Sequence, residues 1–93
     1  PEAVGLSVHA FVFVELMRGA PEADFRMEMA MHKDISACHH VTGGWNYLID
    51  LRVADLAALE AFLAGLKAAG WIARSETLIA LSSARDTPFR FAG

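Results

Sequence analysis

The chain has 93 residues, enough for one domain and no second core. Its apolar fraction of 55% exceeds the roughly 45–50% usual for globular chains, and a domain this small buries only about 60–65% of its unfolded surface, so part of that excess is expected to face another protomer. The net charge of −3, with Arg18, Arg26, Lys33, Arg52, Lys67, Arg74, Arg85 and Arg90 scattered rather than clustered, argues against nucleic-acid binding by this chain alone.

The first predicted element is "LSVHAFVFVELM" at 6–17. Ala10, Val12, Val14 and Leu16 share one face, and His9, Phe11, Phe13 and Glu15 the other. Both faces are largely apolar, which predicts a central strand covered on two sides. "RGAP" breaks it, and Pro21 followed by Glu22 and Asp24 suits a helix start. "EADFRMEMAMHK" alternates its methionines at strand spacing, yet its composition of helix formers without β-branched residues predicts a helix. Phe25, Met29 and His32 would mark its inner stripe.

"ISACHHVT" (35–42) reads as a second strand, closed by a two-residue turn at Gly43-Gly44, and "WNYLIDLRV" (45–53) as the third. In the return strand Trp45, Tyr47, Ile49, Leu51 and Val53 would share a face, with Asn46, Leu48, Asp50 and Arg52 opposite. Asp55 can cap the next helix, whose stripe of Leu56, Leu59, Phe62, Leu63 and Leu66 ends before Gly70. "WIARSETLIALS" (71–82) is the last strand, and "SARDTPFRFAG" (83–93) reads as a tail.

The order β-α-β-β-α-β is the split βαβ, or ferredoxin-like, arrangement of the α+β class. It predicts a four-stranded antiparallel sheet with both helices on one face. The opposite face needs a cover, and the simplest is a second copy of the chain.

Several chemically suggestive residues read more simply as structure. Cys38 and His40 are the only neighbours among "CHH" that converge on one face, too few for tetrahedral zinc, so no metal and no cofactor are expected. The single Cys38 cannot form an internal disulfide, which fits a reducing cytoplasm. No apolar run approaches ~18 residues, so membrane spanning is not indicated. Ser75, Ser82 and Ser83 lack a nucleophile-elbow context, and no His/Asp pair has a distinctive spacing, so catalysis is not expected. The methionines suit a soft core or an interface. Gly43 and Gly44 fit a tight turn, and also a bend whose exposed backbone grips a small zwitterion.

The pieces "VTG" before a "YLI" strand, a following "D-L-x-x-L-E-x-F" helix and a closing "S-x-T-x-I-x-L" strand occur in order over nearly all of residues 3–82. In this the chain resembles the C-terminal effector-binding domain of the Lrp/AsnC (feast/famine) transcription regulators. The resemblance implies a ferredoxin-like domain over residues 1–82 that pairs its sheet with a second copy. Dimers then assemble further, up to an octamer. It implies an effector, usually an amino acid, bound between dimers at Thr42, Gly43, Gly44 and Asn46 with Ser75 and Thr77. The chain departs from the family pattern at Asn46, where an acidic residue is common, and at Ser75, where threonine is usual. The family's helix-turn-helix has no counterpart here, so DNA would be reached only through such a segment or a partner regulator. Two other readings share the topology. One is a dimeric α/β-barrel monooxygenase with His39, His40, Trp45 or Asn46 in an enclosed pocket. The other is an amino-acid-binding allosteric module of an enzyme.

Overall fold

A computed structural model of the chain describes residues 7–85. The elements are β1 (Val8–Leu16), α1 (Glu22–Met31), β2 (Ile35–His40), β3 (Tyr47–Val53), α2 (Leu56–Ala68) and β4 (Ile72–Ile79). All strand pairs are antiparallel and lie in the order β2-β3-β1-β4. This is the expected split βαβ, with β2 and β4 at the edges and the most apolar strand, β1, inside.

Register divides the sheet into two faces. Ala10, Val12 and Val14 lie beside Leu51, Ile49 and Tyr47 of β3. These side chains are fully or almost fully buried and share one core with Phe25 and Met29 of α1 and Leu59 and Leu66 of α2. Each fully buried large aliphatic contributes about 1.5–3 kcal/mol by leaving water. On the outer face, Phe11 lies between Asp50 and Leu78, and Phe13 between Leu48 and Glu76. No helix covers that face among the described residues. Phe11 and Phe13 are only half-buried, and His9 Nε2 meets Asp50 Oδ1 there at 2.7 Å.

Helix α1 resolves the ambiguous methionine stretch. Pro21 accepts the first bond, from Phe25 N–H at 3.0 Å, and Glu22 and Asp24 occupy the first turn. Met29 is buried while Met27 and Met31 are 63% and 77% exposed. His32 closes the helix in extended backbone, its ring edge-on to Phe62. In α2 the Asp55 carboxylate caps Ala58 N–H at 2.9 Å. The helix gives way to Gly70 at φ +81°. The predicted stripe needs one correction: Leu56 is 55% exposed. It is the first residue of the helix and stays outside the core, leaving Leu59, Phe62, Leu63 and Leu66 to make the contact.

Candidate functional site

The β2–β3 connection departs from the two-residue turn expected. Val41 N–H donates to the Asn46 carbonyl at 2.9 Å, so the loop comprises Thr42, Gly43, Gly44 and Trp45. Only Gly43 has a positive φ, +103°. A type I′ turn would need positive φ at both central residues, which Gly44 does not supply, and a two-residue type II′ turn is excluded by the Val41–Asn46 pair, which leaves four residues in the loop. The strand alternation therefore stops at Tyr47, and Trp45 leaves the core face on which period two had placed it. Its ring packs at 5.9 Å from that of Phe13, an outer-face residue.

Two elements fix the bend. From β1, Val14 C=O accepts Asn46 N–H at 2.9 Å, and Leu16 N–H donates to Asn46 Oδ1 at 2.8 Å. From β4, Arg74 makes three contacts. Its Nη2 donates to the Gly44 carbonyl at 2.8 Å and its Nε to Glu15 Oε1 at 2.5 Å, while the guanidinium lies 3.9 Å from the Trp45 ring centroid. A cation this close to an indole face is favoured, and arginine makes such contacts more often than lysine. Thr42, Gly43 and Gly44 themselves are exposed.

The six residues expected to form a site thus divide into two groups. Thr42, Gly43, Gly44 and Asn46 are together in the bend. Ser75 and Thr77 are half-buried on β4 opposite Val14 and Val12, which places them on the helix-covered side. Ser75 is two strand spacings, about 9–10 Å, from the level of Tyr47 on β3. Within one chain the sheet separates these hydroxyls from the outer face onto which Trp45 and Arg74 pack. Arg74, Glu15 and Trp45 are the participants that reading by strand missed. Arg74 appeared only as one of several scattered cations, and only the β1–β4 register, Glu15 opposite Arg74, brings it to a bend thirty residues earlier.

A second polar cluster lies on the other side of β3. Tyr47 OH donates to Glu22 Oε2 at 2.5 Å and accepts from Arg26 Nη1 at 3.0 Å. Burial, together with the hydroxyl's bond to Glu22, raises the Tyr47 phenol above its ordinary range, and burial also raises the Cys38 thiol. Arg26, Cys38 and Tyr47 border a groove of about 520 Å³ between α1 and β2, lined largely by methionine, alanine and isoleucine side chains. Both histidines are exposed: His40 stacks on Tyr47 at 4.7 Å, and His39 takes the outer-face position opposite Leu48. His39, His40, Trp45 and Asn46 therefore do not converge on one enclosed pocket of the chain. Among the described residues no three His, Cys, Asp or Glu side chains are grouped as a metal ion would require, and no helix is long and apolar enough to cross a membrane.

The fold and the bend define a ferredoxin-like domain with an exposed, cation-braced hairpin loop. Residues 9–88 match the family model described as the Lrp/AsnC ligand binding domain, and the chain belongs to that family. It is 33% identical over 89 residues to the leucine-responsive regulatory proteins of Escherichia coli K12 and Salmonella typhimurium. The alignment covers 94% of this chain and 48% of each relative, so the chain spans about half their length. Among solved structures, a transcriptional regulator of Neisseria meningitidis in complex with L-methionine superposes with a TM-score of 0.83 at 22% identity, over 94% of this chain and 58% of that one. The feast or famine regulatory protein of M. tuberculosis, complexed with L-methionine, gives 0.73 at 27% identity over 97% and 60%.

Proposed function

We propose that this chain is the effector-sensing and self-associating part of an amino-acid-responsive transcription regulator. The observation that carries the reading is the bend itself. Thr42, Gly43 and Gly44 expose backbone and hydroxyl groups to solvent while Asn46 and Arg74 hold them in place. A free amino acid presents one carboxylate and one ammonium. Backbone N–H groups and the Thr42 hydroxyl can meet the first, and backbone carbonyls the second. The L-methionine complexes of the Neisseria and mycobacterial regulators support this ligand class.

Ser75 and Thr77 lie across the sheet from the bend of their own chain, so we assign them to the wall that β4 offers to a neighbouring copy. The site is then complete only in an assembly. The uncovered outer face, with Phe11, Phe13, Leu48 and the 45%-exposed Leu78, is the surface on which a homodimer would form. Dimers could then be built up to an octamer. In this reading the protein works in the cytoplasm, residues 83–93 are a tail to the domain, and DNA is contacted through a separate helix-turn-helix or a partner regulator. Calorimetric titration of the common L-amino acids into the chain is the test. Saturable binding of at least one is expected, and no binding of any by the folded chain would contradict the reading.

A further inference from the structure

We infer that Glu15 and Arg74 are the pair that recognises the charged head group of the ligand, Arg74 taking its carboxylate and Glu15 its ammonium. This inference rests on the amino-acid reading above and adds residues to it.

The turn's own side chains provide no carboxylate. Asn46 is neutral, and its Oδ1 already accepts from Leu16 N–H at 2.8 Å, so the group it has left to offer is its donor amide. An ammonium requires an acceptor, and a charged one serves best. Glu15 is the carboxylate that observed contacts tie to the bend: it meets Arg74 Nε at 2.5 Å, and Arg74 in turn holds the Gly44 carbonyl. In the single chain both side chains are substantially exposed, 40% for Glu15 and 53% for Arg74, and Glu15 lies past the last β1–β3 pair, Val14 with Tyr47, at the end of the sheet away from the mid-sheet Phe11. Arg74 nevertheless has a fixed orientation, set by the Trp45 ring beneath it and the Gly44 carbonyl at its edge. Among the described residues, Arg74 Nη1 and Glu15 Oε2 have no hydrogen-bond partner. A zwitterion can therefore bridge the two without displacing Arg74 from the turn.

An exposed ion pair of this kind stabilises the free protein little, so loosening it costs little. The exchange conserves charge: one internal pair is replaced by two, each with one ligand group. A ligand lacking its ammonium would leave Glu15 to compete for Arg74, and a ligand lacking its carboxylate would face the guanidinium with nothing to offer it. The device selects for zwitterions over both.

The test uses the full chain, the L-amino acid that binds it most tightly, the matching 2-oxo acid, and the matching amine without the carboxylate. The parent should prefer the amino acid to both analogues. Glu15→Gln, close in shape, should weaken the amino acid on the order of ten-fold and leave the 2-oxo acid within about two-fold, erasing the preference. Arg74→Gln should weaken the amino acid and the 2-oxo acid alike. If Glu15→Gln keeps the preference, or weakens amino acid and 2-oxo acid equally as a merely structural partner of Arg74 would, the assignment is overturned while the amino-acid reading stands. If the parent binds no amino acid, both fall together.

Discussion

Arg74 of β4 and Gly44 of the β2–β3 loop are joined by a 2.8 Å hydrogen bond that crosses the end of β1. Through it, an edge strand holds the exposed β2–β3 bend at the opposite side of the central strand. The two glycines of the bend consequently have different jobs. Gly43 supplies the left-handed backbone, at φ +103°, with open space around it, whereas a Cβ at Gly44 would meet only Arg74 Nη2, at 3.9 Å. Gly43→Ala should therefore lower stability by about 1–2 kcal/mol through backbone strain alone. Gly44→Ala should stay within about 0.5 kcal/mol of the parent. Urea unfolding of the two variants measures the contrast, and equal losses would contradict it.

Asn46 has a structural duty that the sequence did not reveal. Replacing it by leucine strands the Leu16 N–H and should cost about 1–3 kcal/mol, whereas aspartate can accept the same bond. Asn46→Asp is thus expected to fold like the parent and to place a charge beside the ligand. Amino-acid binding should tighten by about 1–2 kcal/mol, read by calorimetry. Unchanged or weaker binding by a folded Asn46→Asp chain would show that residue 46 lies out of reach of the ammonium.

Tyr47 and Cys38 make an alkaline prediction. Each is the only residue of its type in the chain, so phenolate absorbance and thiol reactivity report them singly. Both acids have raised pKa values in the fold, which means that the native state holds its protons longer than the unfolded chain does. Their contribution to stability is complete below the ordinary values, about 8.5 for the thiol and about 10 for the phenol, and is lost as pH rises through the higher folded values. Stability should accordingly fall from about pH 9 upward. The native phenol should titrate above pH 10 and return to about 10 in denaturant. A native midpoint at or below the denatured one would contradict the burial of Tyr47.

Self-association should depend on the outer face. Phe11 lies mid-sheet between Asp50 and Leu78, and Phe11→Lys would set a charge at the centre of any sheet-to-sheet contact, where desolvating it is costly even opposite Asp50. Light scattering is expected to show the parent as at least a dimer at micromolar concentration and Phe11→Lys as a folded monomer. A monomeric parent would remove the assembly on which the shared site depends.

Element order, the central place of β1, the inward faces of β1 and β3 and the Asp55 cap were legible because each rests on local periodicity or capping chemistry. Helix α1 was legible against its own alternating methionines, since a ten-residue run of helix formers outweighs a period-two coincidence. The bend was less so. Loop length and the unequal roles of Gly43 and Gly44 depend on backbone angles that a Gly-Gly pair leaves open. The placement of Trp45 followed from that error, because alternation was extended past the strand's true start. Arg74 and Glu15 are fifty-nine residues apart in sequence and opposite in the sheet. Only strand order and register, both long-range properties, place them at the bend.

An amino acid held at the Thr42–Asn46 bend should be visible by amide-resolved NMR during titration. With the tightest-binding L-amino acid, the largest shifts are expected at Gly43, Gly44 and Trp45, with the Arg74 side chain following at the same midpoint. Gly43→Val, whose branched side chain resists a positive φ, should remove both the shifts and the binding. Saturable shifts confined to the α1–β2 groove around Arg26 and Cys38, with the bend unmoved, would contradict the account.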